Sequence, residues 1–231
     1  MGDRADFEDF LVSIDRDGAL AETRSRAESA VSRRSLLGLG LIGAGAIAAV
    51  RAPTAAAGLA ASDIDILNYA LVLEYLQASF YTEAERSGAL SGKTAEAARV
   101  VGATERAHVK AFLKLLGSKA VKRPTFNFQG TTEQQRAFLK TAVAFEDLAV
   151  AAYKGQAPKL QSNAVLAAAV GIHSVEARHA AWMRELFGIT PAVHAFDQPA
   201  SRASINRIVA STKFIVAKPH MRSKKKPKYT G

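Results

Sequence analysis

The chain has 231 residues, 48% of them hydrophobic, and a formal charge of +10 at pH 7. That length allows one or two domains with a real core. It contains no cysteine, which excludes a disulfide framework, a zinc–thiolate site, a thiol nucleophile and a lipid-modified cysteine anchor.

The charge is uneven. Residues 1–57 carry seven basic and eight acidic groups, and residues 58–200 carry fifteen and thirteen. Residues 201–231 carry nine Lys or Arg and no Asp or Glu. The surplus therefore belongs to the C-terminal extension. It is expected to be a solvated, disordered end, or a contact for an anionic surface such as lipid or wall polymer. No specific nucleic-acid partner is expected.

In chain order, the first feature is "SRRSLLGLGLIGAGAIAAV", residues 32–50. An arginine pair precedes about fifteen apolar or small residues, and "RAPTAAAG" then offers Ala55 and Ala57 as an A-x-A cleavage site. A membrane span needs about twenty apolar residues, so a cleaved export signal is preferred to an anchor. Arg33 and Arg34, with Ser32, Leu36 and Leu37, resemble the twin-arginine export signal. The resemblance implies the twin-arginine machinery as a partner. It also implies a periplasmic or other extracytoplasmic location, and transport of a folded chain that often carries its cofactor already. Residues 1–57 are expected to be this signal, 58–200 a helical bundle, and 201–231 the basic extension.

From residue 58 onward the pattern is helical. Ser62 is expected to cap a first helix, with Asp63 and Asp65 in its first turn, running to about Arg86. A second runs from about Thr94 to Leu116, with Gly117 as its stop. Thr132 and Gln135 suggest a capping box for a third helix, which ends near Lys154, before Gly155. A fourth spans about Asn163 to Phe187 and meets Gly188. One further short helix is expected in "DQPASRASINRIVASTKFI".

Short connections make helices one and two, and helices three and four, antiparallel neighbours. About fourteen residues join helix two to helix three, enough to reach about 45 Å when extended. A 24-residue helix is about 36 Å long. The link can therefore cross the whole bundle. The expected fold is all-α, a four-helix bundle with a long crossover between helices two and three.

The two halves repeat. Glu74 is followed seven residues later by Tyr81, and Glu146 by Tyr153. Glu105 opens "ERAH", and Glu176 opens "EARH". Glu74 shares its helical side with Leu67, Ala70, Leu71, Ala78 and Tyr81. Glu146 shares its side with Leu139, Ala142, Val143, Ala149, Val150 and Tyr153, and Glu105 with Ala98, Val101, His108, Val109 and Phe112. Four carboxylates on core-facing stripes, each near the middle of its helix, need positive charge. Glu-x-x-His places carboxylate and imidazole one turn apart, a donor set suited to iron or manganese. Two such pairs and two further glutamates, one set per helix, match a dinuclear carboxylate bundle. The competing explanation is four glutamates satisfied by His or Arg in an ordinary core; Arg106 and Arg178, the nearest arginines in sequence, point off the stripe.

"LNYALVLEYLQASFYTEA" and "VEARHAAWMREL" resemble the ferritin-like superfamily, and within it a bacterial group related to plant desiccation-related proteins. The resemblance covers roughly residues 62–215. It implies a ferritin-like fold with two transition-metal ions, iron or manganese. By matching position it makes Glu74, Glu105, His108, Glu146, Glu176 and His179 the ligands. It makes Glu105 and Glu176 the bridging carboxylates, and Glu74 and Glu146 terminal ones.

His173 lies one turn before Glu176 and reads mainly as a core or crevice histidine, with a supporting base or extra ligand as the sharper reading. Tyr81 and Tyr153 read as ligand supports, electron carriers or packing. Trp182 reads as packing. The expected function is oxygen, peroxide or Fe(II) redox chemistry in an exported protein. The rival is a non-enzymatic protective or structural module of the envelope.

Overall fold

The computed structural model describes residues 58–216. The expected export signal, residues 1–57, and the basic tail after residue 216 lie outside the described residues. Four long helices follow: α1 (Ala61–Ser87), α2 (Gly92–Leu116), α3 (Gln135–Gln156) and α4 (Asn163–Phe187). A shorter α5 (Arg202–Thr212) comes after them. Two-residue strands, β1 (Thr125–Phe126) and β2 (Ile215–Val216), pair antiparallel. The fold is the expected all-α bundle. Among the described residues no helix is long and apolar enough to cross a membrane.

The crossover can be followed contact by contact. Asn68 Nδ2 donates to Lys119 O at 3.0 Å, and Asn68 Oδ1 accepts from Val121 N at 2.8 Å. Arg123 then donates through Nε and Nη2 to Ser79 Oγ. Thr132 Oγ1 donates to Glu83 Oε1, and Ser87 Oγ donates to Thr132 O. The link thus climbs α1 from its start to its end. It delivers the start of α3 beside the end of α1, so these two helices are antiparallel. The α1–α2, α3–α4, α1–α3 and α2–α4 pairs all pack against each other.

Several helix ends differ from expectation, and the reasons are tertiary. α1 begins at Ala61, one residue before Ser62, with no side-chain cap. Asp63 is fully buried and accepts instead from the backbone N–H groups of Gln161 and Ser162, at 2.8 and 2.9 Å. It steadies the start of α4, where Ser162 is the N-cap. The Thr132–Gln135 capping box does not form. Thr132 is committed to Glu83, and Gln135 Oε1 accepts from Ser91 N and Oγ. α3 passes through Gly155 to Gln156. A Cβ at Gly155 would stand 2.0 Å from Ala200 O, so this glycine admits a crossing chain rather than stopping a helix. α4 matches its expected limits, and Gly188 ends it in the left-handed region at φ 85°.

The sparse aromatics gather in one place. Phe80 of α1 stacks on Phe138 of α3 at 5.1 Å and meets Phe145, Phe128 and Tyr81 edge-on. Phe214 closes the cluster from the C-terminal segment against Phe128 and Phe145. Ile205 and Val209 bury the inner face of α5. Arg202 ties its start to α1 through Asp65 Oδ2 at 2.6 Å and lies over the Tyr69 ring. Residues 201–216 therefore pack on the bundle.

Candidate metal centre

Each helix of the bundle brings its acidic residue close to its own midpoint, and short-range periodicity turns that residue inward. Glu105, Glu146 and Glu176 are fully buried, and Glu74 is 1% exposed. His108 and His179 lie one turn after Glu105 and Glu176, their side chains 11% and 8% exposed. All six sequence-predicted residues converge.

They form two groups of four whose donor atoms lie within 4.8 Å of one another. One is Glu74, Glu105, His108 and Glu176; the other is Glu105, Glu146, Glu176 and His179. Glu105 and Glu176 belong to both, and each divides its two oxygens between the histidines. Glu105 Oε1 is 3.0 Å from His179 Nδ1, and its Oε2 is 3.5 Å from His108 Nδ1. Glu176 Oε1 is 3.2 Å from His108 Nδ1, and its Oε2 is 3.8 Å from His179 Nδ1. Glu74 Oε2 approaches His108 Nδ1 at 3.3 Å, and Glu146 Oε2 approaches His179 Nδ1 at 3.5 Å.

The other oxygen of each lone glutamate is held by a tyrosine from across the bundle. Tyr81 of α1 donates to Glu146 Oε1 of α3 at 2.5 Å, and Tyr153 of α3 donates to Glu74 Oε1 of α1. Sequence spacing paired each tyrosine with the glutamate of its own helix. The antiparallel packing of α1 and α3 exchanges the partners. Burial first, and then the neighbouring carboxylates, push both phenols well above their usual pKa. They remain protonated donors.

The inward atoms lack such partners. Glu74 Oε2, Glu146 Oε2, both oxygens of Glu105 and Glu176, and Nδ1 of His108 and His179 are buried without a hydrogen bond. Atoms bound about 2.1 Å from one cation at right angles stand about 3.0 Å apart. The spacing of these donors is that of neighbouring ligands, and an O/N set of carboxylates and imidazoles suits a transition metal. Arginine does not replace the cation: Arg106, Arg184 and Arg202 form their ion pairs with Glu85, Asp147 and Asp65.

Protons must balance the charge when no cation does. Burial, reinforced by Glu105 and Glu176 against the opposing effect of His108, raises Glu74 to about 8. Burial likewise raises Glu146. Burial also opposes charge on the imidazoles and on Glu176, but opposite neighbours outweigh it there. The surrounding carboxylates lift His108 to about 12 and His179 to about 11, while the two histidines hold Glu176 down to about 2.

His173 does not join either group of four. It is partly buried, and its Nε2 has no hydrogen-bond partner. Trp182 packs on the core, as expected. Gln77, which the motifs did not single out, is buried on α1, three residues after Glu74 and four before Tyr81; that spacing was its only sequence signal.

No curated protein matches the chain. The profile of the ferritin-like domain matches residues 62–188, from the first turn of α1 through the end of α4, with all six inward residues inside it. The chain belongs to the ferritin-like domain family.

Proposed function

We propose that the protein is an exported dinuclear carboxylate protein that holds two iron or manganese ions and carries out oxygen, peroxide or Fe(II) redox chemistry. The observation that carries this reading is the pair of four-residue groups sharing Glu105 and Glu176, with their inward atoms unpartnered. Glu105 and Glu176 would be shared by the two ions, with Glu74 and His108 completing one site and Glu146 and His179 the other. Two such ions supply a two-electron exchange with dioxygen or peroxide, and in ferroxidase chemistry Fe(II) is itself the substrate. Tyr81 and Tyr153 keep their protons and fix the terminal carboxylates. Burial excludes bulk water from the acidic cluster.

Metal analysis tests the reading. Protein offered iron and manganese is expected to retain two ions per chain, and to oxidise Fe(II) or consume peroxide in a follow-up assay. Less than one ion per two chains would overturn it. Metal without either activity would support the protective or structural alternative. Export is tested separately by replacing Arg33 and Arg34 with lysine, which keeps charge but lacks the planar guanidinium fork. The precursor is expected to stay in the cytoplasm; unchanged export would remove the twin-arginine route.

A further inference from the structure

The ligand and tyrosine positions of the two repeats match, but the position three after the lone glutamate does not. On α3 it is Ala149, 1% exposed; on α1 it is Gln77, 2% exposed. Gln77 lies three residues after Glu74 and four before Tyr81, so it shares the face that presents both to the centre. It also lies four after Leu73 and three before Phe80, in the row that meets α3: Phe80 packs on Phe138 and Phe145. Its position on the helix therefore falls between the row that faces the centre and the row that meets α3, on the side where Tyr81 reaches Glu146 and Tyr153 reaches Glu74.

Gln77 Nε2 is buried and has no hydrogen-bond partner. A buried N–H without an acceptor loses its hydration and gains nothing in return. Leucine or methionine would fill similar space without that cost. His108 and His179 come from α2 and α4, so the other side of the centre faces α1 and α3. The hydroxyls of Tyr81 and Tyr153 on that side are already committed to glutamates, whereas Gln77 Nε2 on α1 is not.

The geometry points to Gln77 as a ligand-binding residue that donates a hydrogen bond from Nε2 to a small acceptor anion or oxygen substrate on the α1–α3 side of the centre. This rests on the metal reading above. It makes the two sites unequal: only the α1 side offers a neutral donor at this position, and an acceptor bound there is oriented toward it.

Azide, a small linear acceptor, is the probe. The iron-loaded parent, Gln77→Leu and Gln77→Met are titrated with azide and followed by charge-transfer absorption. Iron content is measured on the same samples, and melting temperature on the metal-free proteins. Both variants are expected to keep the parent's iron content and to bind azide about tenfold more weakly, the loss of one hydrogen bond. Their metal-free melting temperatures are expected to equal or exceed the parent's. Full iron content with unchanged azide affinity overturns the role of Gln77 alone. A lowered metal-free melting temperature with unchanged azide affinity assigns it to packing. A parent chain that takes up no iron overturns the metal reading, and this inference with it.

Discussion

The helices that carry lone glutamates and the helices that carry Glu-x-x-His meet the same centre but live in different surroundings. α1 buries fourteen of its 27 residues, and α3 twelve of 22. α2 buries eight of 25, and α4 only five of 25. The crossover link runs along α1, while α5 packs against α3 and is tied to α1 at its start. Along α4, Val170 stays 54% exposed. The contrast separates two demands on the sequence. Every helix must turn one acidic residue inward at the same level, and that demand is met equally by all four. Packing is satisfied wherever the extra segments fall, and they fall on the lone-glutamate side.

The largest effect should distinguish shared from terminal carboxylates. Glu105→Gln or Glu176→Gln is expected to weaken both sites, lowering metal affinity by on the order of a hundredfold, about 2.7 kcal/mol. Glu74→Gln and Glu146→Gln should each weaken one site and leave about one ion per chain. Metal counting after dialysis reads both, and equal losses from all four variants would break the shared-versus-terminal distinction.

Next in size is the pH response of the metal-free protein. Glu74, raised to about 8 by burial, contributes stability that is fully present below its unfolded pKa near 4.5 and lost as pH rises through 8. His108 and His179, raised to about 12 and 11, lose their contribution as pH rises above their unfolded values near 6.5. Glu176, held near 2, acts oppositely and loses its contribution as pH falls from 4.5 toward 2. Melting temperature of the metal-free protein should therefore fall between pH 5 and 8. Glu74→Gln should flatten part of that slope, and an identical slope would contradict it.

Gly155→Ala tests packing on the covered side without touching the centre. Its Cβ would meet Ala200 O at 2.0 Å, and the fold should lose about 1–3 kcal/mol in denaturant unfolding. Metal content should be unchanged. Tyr81→Phe and Tyr153→Phe each remove one buried hydrogen bond, at about 1 kcal/mol. Their costs should agree, since each supports a lone glutamate in the same way; clearly unequal values would show that the halves differ at this level too. The smallest effect is expected on the bare helix. Gly171 of α4 has nothing within 4 Å of an added Cβ, so Gly171→Ala should stabilise by about 0.5–1 kcal/mol.

The convergence of the six residues was legible because its signals are short-range: three residues from Glu to His, seven from Glu to Tyr, and an apolar stripe around each. The crossover was legible from the length of its link. What escaped was decided by segments far apart in the chain. Asp63 serves Ser162, 99 positions away at the start of α4, and α1 itself starts at Ala61 without a side-chain cap. Thr132 is drawn to Glu83, 49 positions earlier, and leaves the start of α3 uncapped. Gly155 reads locally as a helix stop, and only the passage of Ala200 explains it. The β1–β2 pair joins two-residue stretches 90 positions apart, too short to carry a strand pattern.

The exchange of tyrosines between α1 and α3 bears on how the molecule assembles. Each helical hairpin can form from contacts close in sequence, but neither holds a finished half of the centre. The α1–α2 hairpin has Glu74 without its hydroxyl donor and one shared carboxylate without the other, and the α3–α4 hairpin has the mirror deficit. Each half of the centre draws on both hairpins, so neither half can be finished before the hairpins dock. A chain cut within the crossover would yield two fragments, each incompetent alone, whose reassociation metal should drive.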